Sequence, residues 1–282
     1  MNHQNRQQRS SKMGLKKRKA ARRRKKVRRI KILIFEIIAL AALFGLARFK
    51  LSGTKRSLPV APITAKGEIE QFAKKQNLSL EDYPQDLIDL YERNPETKDF
   101  VCEYPLKKDK KYKIDLSEYQ GADSVPLLMQ WDERWGYQNY SGNVLGLTGC
   151  GPTCLSMVAI YLSGDTSLNP SKIAEFSEEN GYAVEGSGTA WALFSEGGEK
   201  LGFDVTEIPL DETRIRENLE VGNPIVASLG AGDFTTDGHF VVFTGWEKGK
   251  IRVNDPNSRE NSGKLWEYER LSGQIKALWV FR

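Results

Sequence analysis

Residues 149–164 read GCGPTCLSMVAIYLSG, and the fold is built outward from this stretch. From Thr153 to Leu162 polar side chains are few and carry no charge, so the pattern predicts a helix buried on most sides. Pro152 falls in its first turn, where a missing backbone N–H costs nothing, and Gly164 ends it. Cys150 opens the helix between Gly149 and Gly151. A thiol there feels the unpaired N–H groups of the helix start, which lower its pKa and favour thiolate. The two glycines leave room for a substrate backbone to approach. Cys154, one turn further along and inside the apolar run, reads as a small buried hydrophobe.

A helix this apolar needs layers around it, and the downstream sequence supplies them. Asn169-Pro170 is an N-cap followed by a first-turn proline, predicting a helix to Gly181. Residues 189–202 and 211–221 read as two more helices. After Pro224 the period changes to that of strands, in IVASLG, HFVVFTGW, KIRVND, KLWEYERL and KALWVF. Helices first and an antiparallel sheet afterwards predict an α+β domain over residues 121–282. Upstream, residues 66–77 and the run PQDLIDLYERN from Pro84 read as short helices, the second stopping before Pro95. Residues 96–120 are charged and then extended. The segment 66–120 reads as a helical spacer with no legible chemistry.

The formal net charge of +5 hides two unlike regions. Residues 1–31 hold fifteen Lys and Arg and no acid. The remaining 27 basic and 37 acidic residues leave residues 32–282 at −10, which argues against a nucleic-acid-binding surface there. Beside the tail lies ILIFEIIALAALFGLA (32–47), with Glu36 its single charge. Residues 30–49 would span about 30 Å as a helix, the thickness of a bilayer core. A membrane helix over 32–49 is therefore expected, with residues 1–31 a cytoplasmic tail and 50–65 an outer linker, since basic flanks stay inside. A signal peptide cleaved after Gly45-Leu46-Ala47 is the competing reading. The expected location is a single-pass protein of the cell membrane with its C-terminal domain outside the cytoplasm. The three cysteines, Cys102, Cys150 and Cys154, are too few for a disulfide scaffold and leave one thiol over.

The chain has two histidines, His3 in the tail and His239. Any imidazole base in the exported part must therefore be His239, which opens the apolar strand HFVVFTGW after a glycine. An acid or amide should orient its ring. Asp255 and Asn254 both end the next strand, KIRVND, which the short link EKGK joins to the first. Alternation lets only one of them face the histidine. Gln130, in VPLLMQWDERWG, could place an amide donor beside the Cys150 N–H to hold an oxyanion. One histidine and three scattered cysteines make a poor zinc site, and no metal or cofactor is expected.

From Gln130 to the C-terminus the chain resembles the papain-like cysteine peptidases of the bacteriocin-processing type, family C-39-like. The order Gln130, Cys150 in GCGP, His239 in GHF and Asp255 in NDP carries the resemblance. It implies a papain-like fold, a helical lobe plus an antiparallel sheet. It also implies Gln130 in the oxyanion hole, Cys150 as nucleophile, His239 as base and Asp255 as orienter. There are two departures. The interval of twenty residues between Gln130 and Cys150 exceeds that of the double-glycine leader peptidases, though it suits the branch with an insertion there. No ABC transporter is attached, and the expected topology is extracytoplasmic, so substrate identity does not transfer. The expected substrate is a peptide or a peptide cross-link of the cell envelope. The rival readings are a non-catalytic papain-like binding module and a peptidoglycan amidase or endopeptidase of another Cys-His family.

Overall fold

The computed structural model describes residues 64–282. The expected tail, membrane span and most of the linker lie outside the described residues. Among the described residues no helix is long and apolar enough to cross a membrane. The helices are α1 (65–75), α2 (85–93), α3 (98–107), α4 (145–148), α5 (150–163), α6 (170–179), α7 (196–200), α8 (212–220), α9 (259–262) and α10 (268–272). The strands are β1 (139–140), β2 (143–144), β3 (183–184), β4 (188–189), β5 (205–207), β6 (225–229), β7 (239–247), β8 (250–254), β9 (265–266) and β10 (275–281). Six of them form one antiparallel sheet in the order β5-β10-β6-β7-β8-β9. The α+β class and the antiparallel sheet are those expected from the sequence.

The helix α5 is the one that GCGPTCLSMVAIYLSG predicts. Ten of its residues, Gly151 to Ile160, are buried, and Gly164 closes it in the left-handed region at φ 70°. It packs on one face of the sheet, where Val226, Phe240, Val242 and Trp279 join Leu155 and Val158 in one core. The opposite face is covered by α8, whose Ile215 and Leu219 meet Ala227, Val241, Phe243 and Val253. The alternating side chains of β6 and β7 are thus buried on both sides, and β6 is buried along its whole length. Asn169 caps α6 by accepting from the Lys172 N–H at 3.1 Å.

Three local readings are corrected. Residues 189–202 do not form one helix. Gly188 and Thr189 pair with β3, residues 191–193 make one 3-10 turn, and only 196–200 become α-helical, a span holding the poor helix formers Gly197 and Gly198. KLWEYERL is a strand for two residues and then turns into α10, which places Leu271 in the core beneath the sheet. Residues 98–107 are helical despite Pro105, because the helix buries Phe100, Val101 and Cys102. Those three share a core with Ile69, Leu87, Met129, Trp131 and Tyr137, so α1–α3 are packed against the stretch that carries Gln130.

Candidate active site

The start of α5, the start of β7 and the end of β8 converge on one point. Cys150 is the first residue of α5 and is partly buried. The next residue, Gly151, packs against Thr189: a Cβ on Gly151 would lie 2.5 Å from the Thr189 Oγ1. Gly151 therefore admits the protein's own β4, where the sequence suggested room for a substrate. Thr189 is held in turn by the Tyr140 hydroxyl at 2.7 Å.

His239 opens β7, is buried, and lies beside the Cys150 thiol, close enough for each group to shift the other's pKa. Its Nε2 lies 2.8 Å from Asp255 Oδ1, which leaves Nδ1 for the thiol. The choice between Asp255 and Asn254 is made by a β-bulge. Gly245 pairs with Arg252, but Phe243 pairs with Val253 and Val242 with Asn254, so Thr244 is an extra residue on β7. The one-residue shift exchanges the faces of β8 relative to β7. Continuing the register puts Asp255 opposite Val241, on the face to which His239 belongs. Asn254 turns to the other face, where its Nδ2 donates to the carbonyls of Val125 and Pro126, each at 3.1 Å.

Asp255 is 1% exposed, yet its carboxylate is fully partnered. Besides the imidazole, Oδ1 accepts from the Asn257 N–H at 2.8 Å, and Oδ2 accepts from Asn261 Nδ2 at 2.9 Å. Burial raises the carboxyl's pKa, but the charge and hydrogen bond of His239 outweigh it and the net shift is downward. Burial alone would depress the imidazole, whereas the Asp255 carboxylate and the Cys150 thiol hold it up at about 10. The Cys150 thiol is likewise pushed up by burial. It is carried below its ordinary value by the hydrogen bond and charge of His239 and by the N–H groups of Phe240 and Gly151. These directions agree on one state, a thiolate paired with an imidazolium. Cys154 behaves oppositely. Enclosed by apolar side chains, with its Sγ 3.3 Å from the Phe240 carbonyl, it is raised well above 9.0. Cys102 is buried and raised to about 11 by desolvation, and all three thiols are free.

Gln130 is buried beside this group with its amide turned elsewhere. Its Nε2 donates to the Gly146 carbonyl at 2.9 Å and the Leu147 carbonyl at 3.3 Å, in the turn that leads into Cys150. Its Oε1 has no hydrogen-bond partner. Both amide hydrogens are thus engaged in bracing that turn.

Cys150 and His239 open into a cleft of about 850 Å³. One wall carries Thr189 and the half-exposed Trp191, and another carries Asp86, Asp89 and Arg93 of α2. The sequence reading found no chemistry in residues 66–120 and so missed this wall. The exposed side of α2 holds the only signal, and charges there look like any solvated helix face. Asn257 and Asn261, which hold the Asp255 carboxylate, were also missed, since asparagines after Asp-Pro read as turn residues.

A family model described as Peptidase_C39 like family matches residues 122–280. Among solved structures, the peptidase domain of Streptococcus ComA, a bi-functional ABC transporter involved in a quorum-sensing pathway, is 24% identical. That match covers 48% of this chain and 90% of that one, at a TM-score of 0.37. The same domain of Streptococcus mutans ComA, in complex with a small-molecule inhibitor, is 22% identical, covering 35% and 79% at a TM-score of 0.29. A protein described as a C39-like peptidase from Bacillus anthracis is 16% identical, covering 61% and 98% at a TM-score of 0.35. No curated protein matched the sequence.

Proposed function

The chain belongs to the Peptidase_C39 like family, and from that premise we propose that it is a cysteine peptidase held at the outer face of a membrane by residues 32–49. Cys150 is the nucleophile, His239 the general acid and then the general base, and Asp255 the orienter of the imidazole. The observation that carries this reading is the placement of His239 between Cys150 and Asp255, its Nε2 bonded to the Asp255 carboxylate at 2.8 Å, with Cys150 and His239 together lining the cleft. The thiolate attacks the carbonyl carbon of a peptide bond, and the carbonyl π pair moves onto oxygen. As the C–N bond breaks, the His239 imidazolium gives its proton to the leaving amine. A water deprotonated by the now neutral His239 then attacks the thioester carbonyl; the C–S bond breaks, the carboxylic acid product leaves, and the thiolate–imidazolium pair is restored.

The oxyanion is received by the Cys150 N–H, which the helix start leaves outside the α5 ladder. Gln130 is the second donor in this reading, exchanging its longer bond, at Leu147, for the oxyanion. Gln130→Ala should then lower kcat by about 10²-fold with KM little changed. A variant that melts earlier but keeps its kcat would restrict Gln130 to bracing the turn.

The substrate class is a peptide or peptide cross-link of the cell envelope, and its support is the basic N-terminal tail beside an apolar run. Profiling the full chain on a peptide library is the experiment that tests the activity and defines the cleavage preference. Absence of cleavage in the library and in purified muropeptides would contradict it. A membrane-impermeant maleimide added to intact cells should label the chain, since Cys150 is partly exposed. Labelling only after lysis would place the domain in the cytoplasm.

A further inference from the structure

Asp255 is held by the loop 256–262, and that loop is held from outside the family-matched residues 122–280. The Glu96 carboxylate accepts three hydrogen bonds from it. Ser258 Oγ and the Glu260 N–H donate to Oε1, at 3.0 and 3.2 Å, and the Arg259 N–H donates to Oε2 at 2.9 Å. Two residues earlier, Asn94 Nδ2 donates to the Asn257 carbonyl at 2.6 Å, which also accepts from Trp131 Nε1 at 3.1 Å. Asn94 and Glu96 are set relative to each other as well, because Asn94 Oδ1 accepts from the Glu96 N–H at 3.1 Å.

Two of the clamped residues lead to the Asp255 carboxylate, Asn257 directly and Ser258 through Asn261. The Asn257 peptide, gripped at its carbonyl, uses its own N–H to hold Asp255 Oδ1 at 2.8 Å. Ser258, gripped at its hydroxyl, caps the turn by accepting from the Asn261 N–H at 3.1 Å. Asn261 then donates to Asp255 Oδ2 at 2.9 Å. Ser262, at the end of that turn, accepts from the Asp255 N–H at 2.9 Å.

From this geometry we infer that Glu96, with Asn94, is a positioning residue for catalysis: the segment 94–96 fixes the loop 256–262 and through it the Asp255 carboxylate against His239. The inference rests on the proposed role of Asp255. It makes the stretch before residue 122 a working part of the active site. Loss of the clamp lets the carboxylate drift from the ring. The imidazolium is then less favoured, and the thiolate with it.

The test compares Glu96→Ala, Glu96→Gln and Asp255→Ala in the full chain, by two readings. The first is the NMR titration midpoint of His239, distinguished from the single other imidazole, His3. The second is the rate of Cys150 alkylation by iodoacetamide at pH 6. Glu96→Ala should lower the His239 midpoint and slow alkylation about tenfold, in the direction of Asp255→Ala but by less. Glu96→Gln keeps one acceptor oxygen and should fall between Glu96→Ala and the unaltered chain. Should Glu96→Ala fail to fold on melting analysis, Glu96→Gln decides. Movement of both readings in Asp255→Ala, with neither moving in the Glu96 variants, would overturn the clamp. If Asp255→Ala itself moves neither, the assignment of Asp255 falls, and the clamp with it.

Discussion

Cys150→Ala is expected to reduce peptide hydrolysis to background, a loss on the order of 10⁴–10⁶-fold. The size follows from the role. Without the sulfur no acyl-enzyme forms, and what remains is binding and oxyanion stabilisation of a water attack. The fold should not suffer, because Cys150 is only partly buried and lines the cleft. The neighbouring Cys154→Ala should behave in reverse. Its sulfur is enclosed among apolar side chains, so removal costs about 1 kcal/mol or more of stability and little turnover. Turnover by chromatography of the cleaved peptide, beside a melting curve, separates the two. Near-normal hydrolysis by Cys150→Ala would sink the peptidase reading.

Asp255→Ala should lower kcat by about 10²–10⁴-fold, and Asn254→Ala far less. The carboxylate fixes the ring's orientation and supports its positive charge. With it, the imidazole is held up at about 10, so activity should persist through the neutral range and fail only as pH rises toward that value. Without it, the imidazolium loses its proton at lower pH, and the alkaline limb of the pH–rate profile moves down. Asn254→Ala removes the donor to the Val125 and Pro126 carbonyls and leaves two buried acceptors unpaired. Its cost is therefore in stability, about 1–3 kcal/mol, read as a lower melting temperature. A large loss of kcat in Asn254→Ala with the profile unmoved in Asp255→Ala would reverse the two roles.

These neighbours show where sequence reading stops. The helix over 150–163 was legible because its glycine, proline and apolar run all agree, and His239 because residues 64–282 hold no other imidazole. The choice between Asp255 and Asn254 was not. A regular hairpin closed by EKGK would have placed Asn254 on His239's face, and the bulge at Thr244 exchanges the two. Nothing in FVVFTGW marks that extra residue ahead of folding. Helix α3 was hidden by Pro105 and its lysines, since its reason to form is a core shared with Trp131 and Tyr137 far along the chain. Gln130 was found by its order before Cys150. Order says nothing of rotamer, and its amide braces the Gly146–Leu147 turn. Contacts across more than a hundred residues, such as Glu96 to Ser258, leave no local pattern to read.

The central claim is that Cys150 is a thiolate made reactive by His239, and alkylation tests it without any knowledge of the substrate. The full chain is treated with iodoacetamide at pH 6, and the modified peptides are mapped by mass spectrometry. Cys150 should be modified at least about a hundredfold faster than Cys154, which burial keeps as a neutral thiol. His239→Ala should slow the Cys150 reaction strongly at pH 6 and much less near pH 9, where an ordinary thiol ionises unaided. Preferential labelling of Cys154, or a Cys150 rate at pH 6 indifferent to His239, would contradict the account.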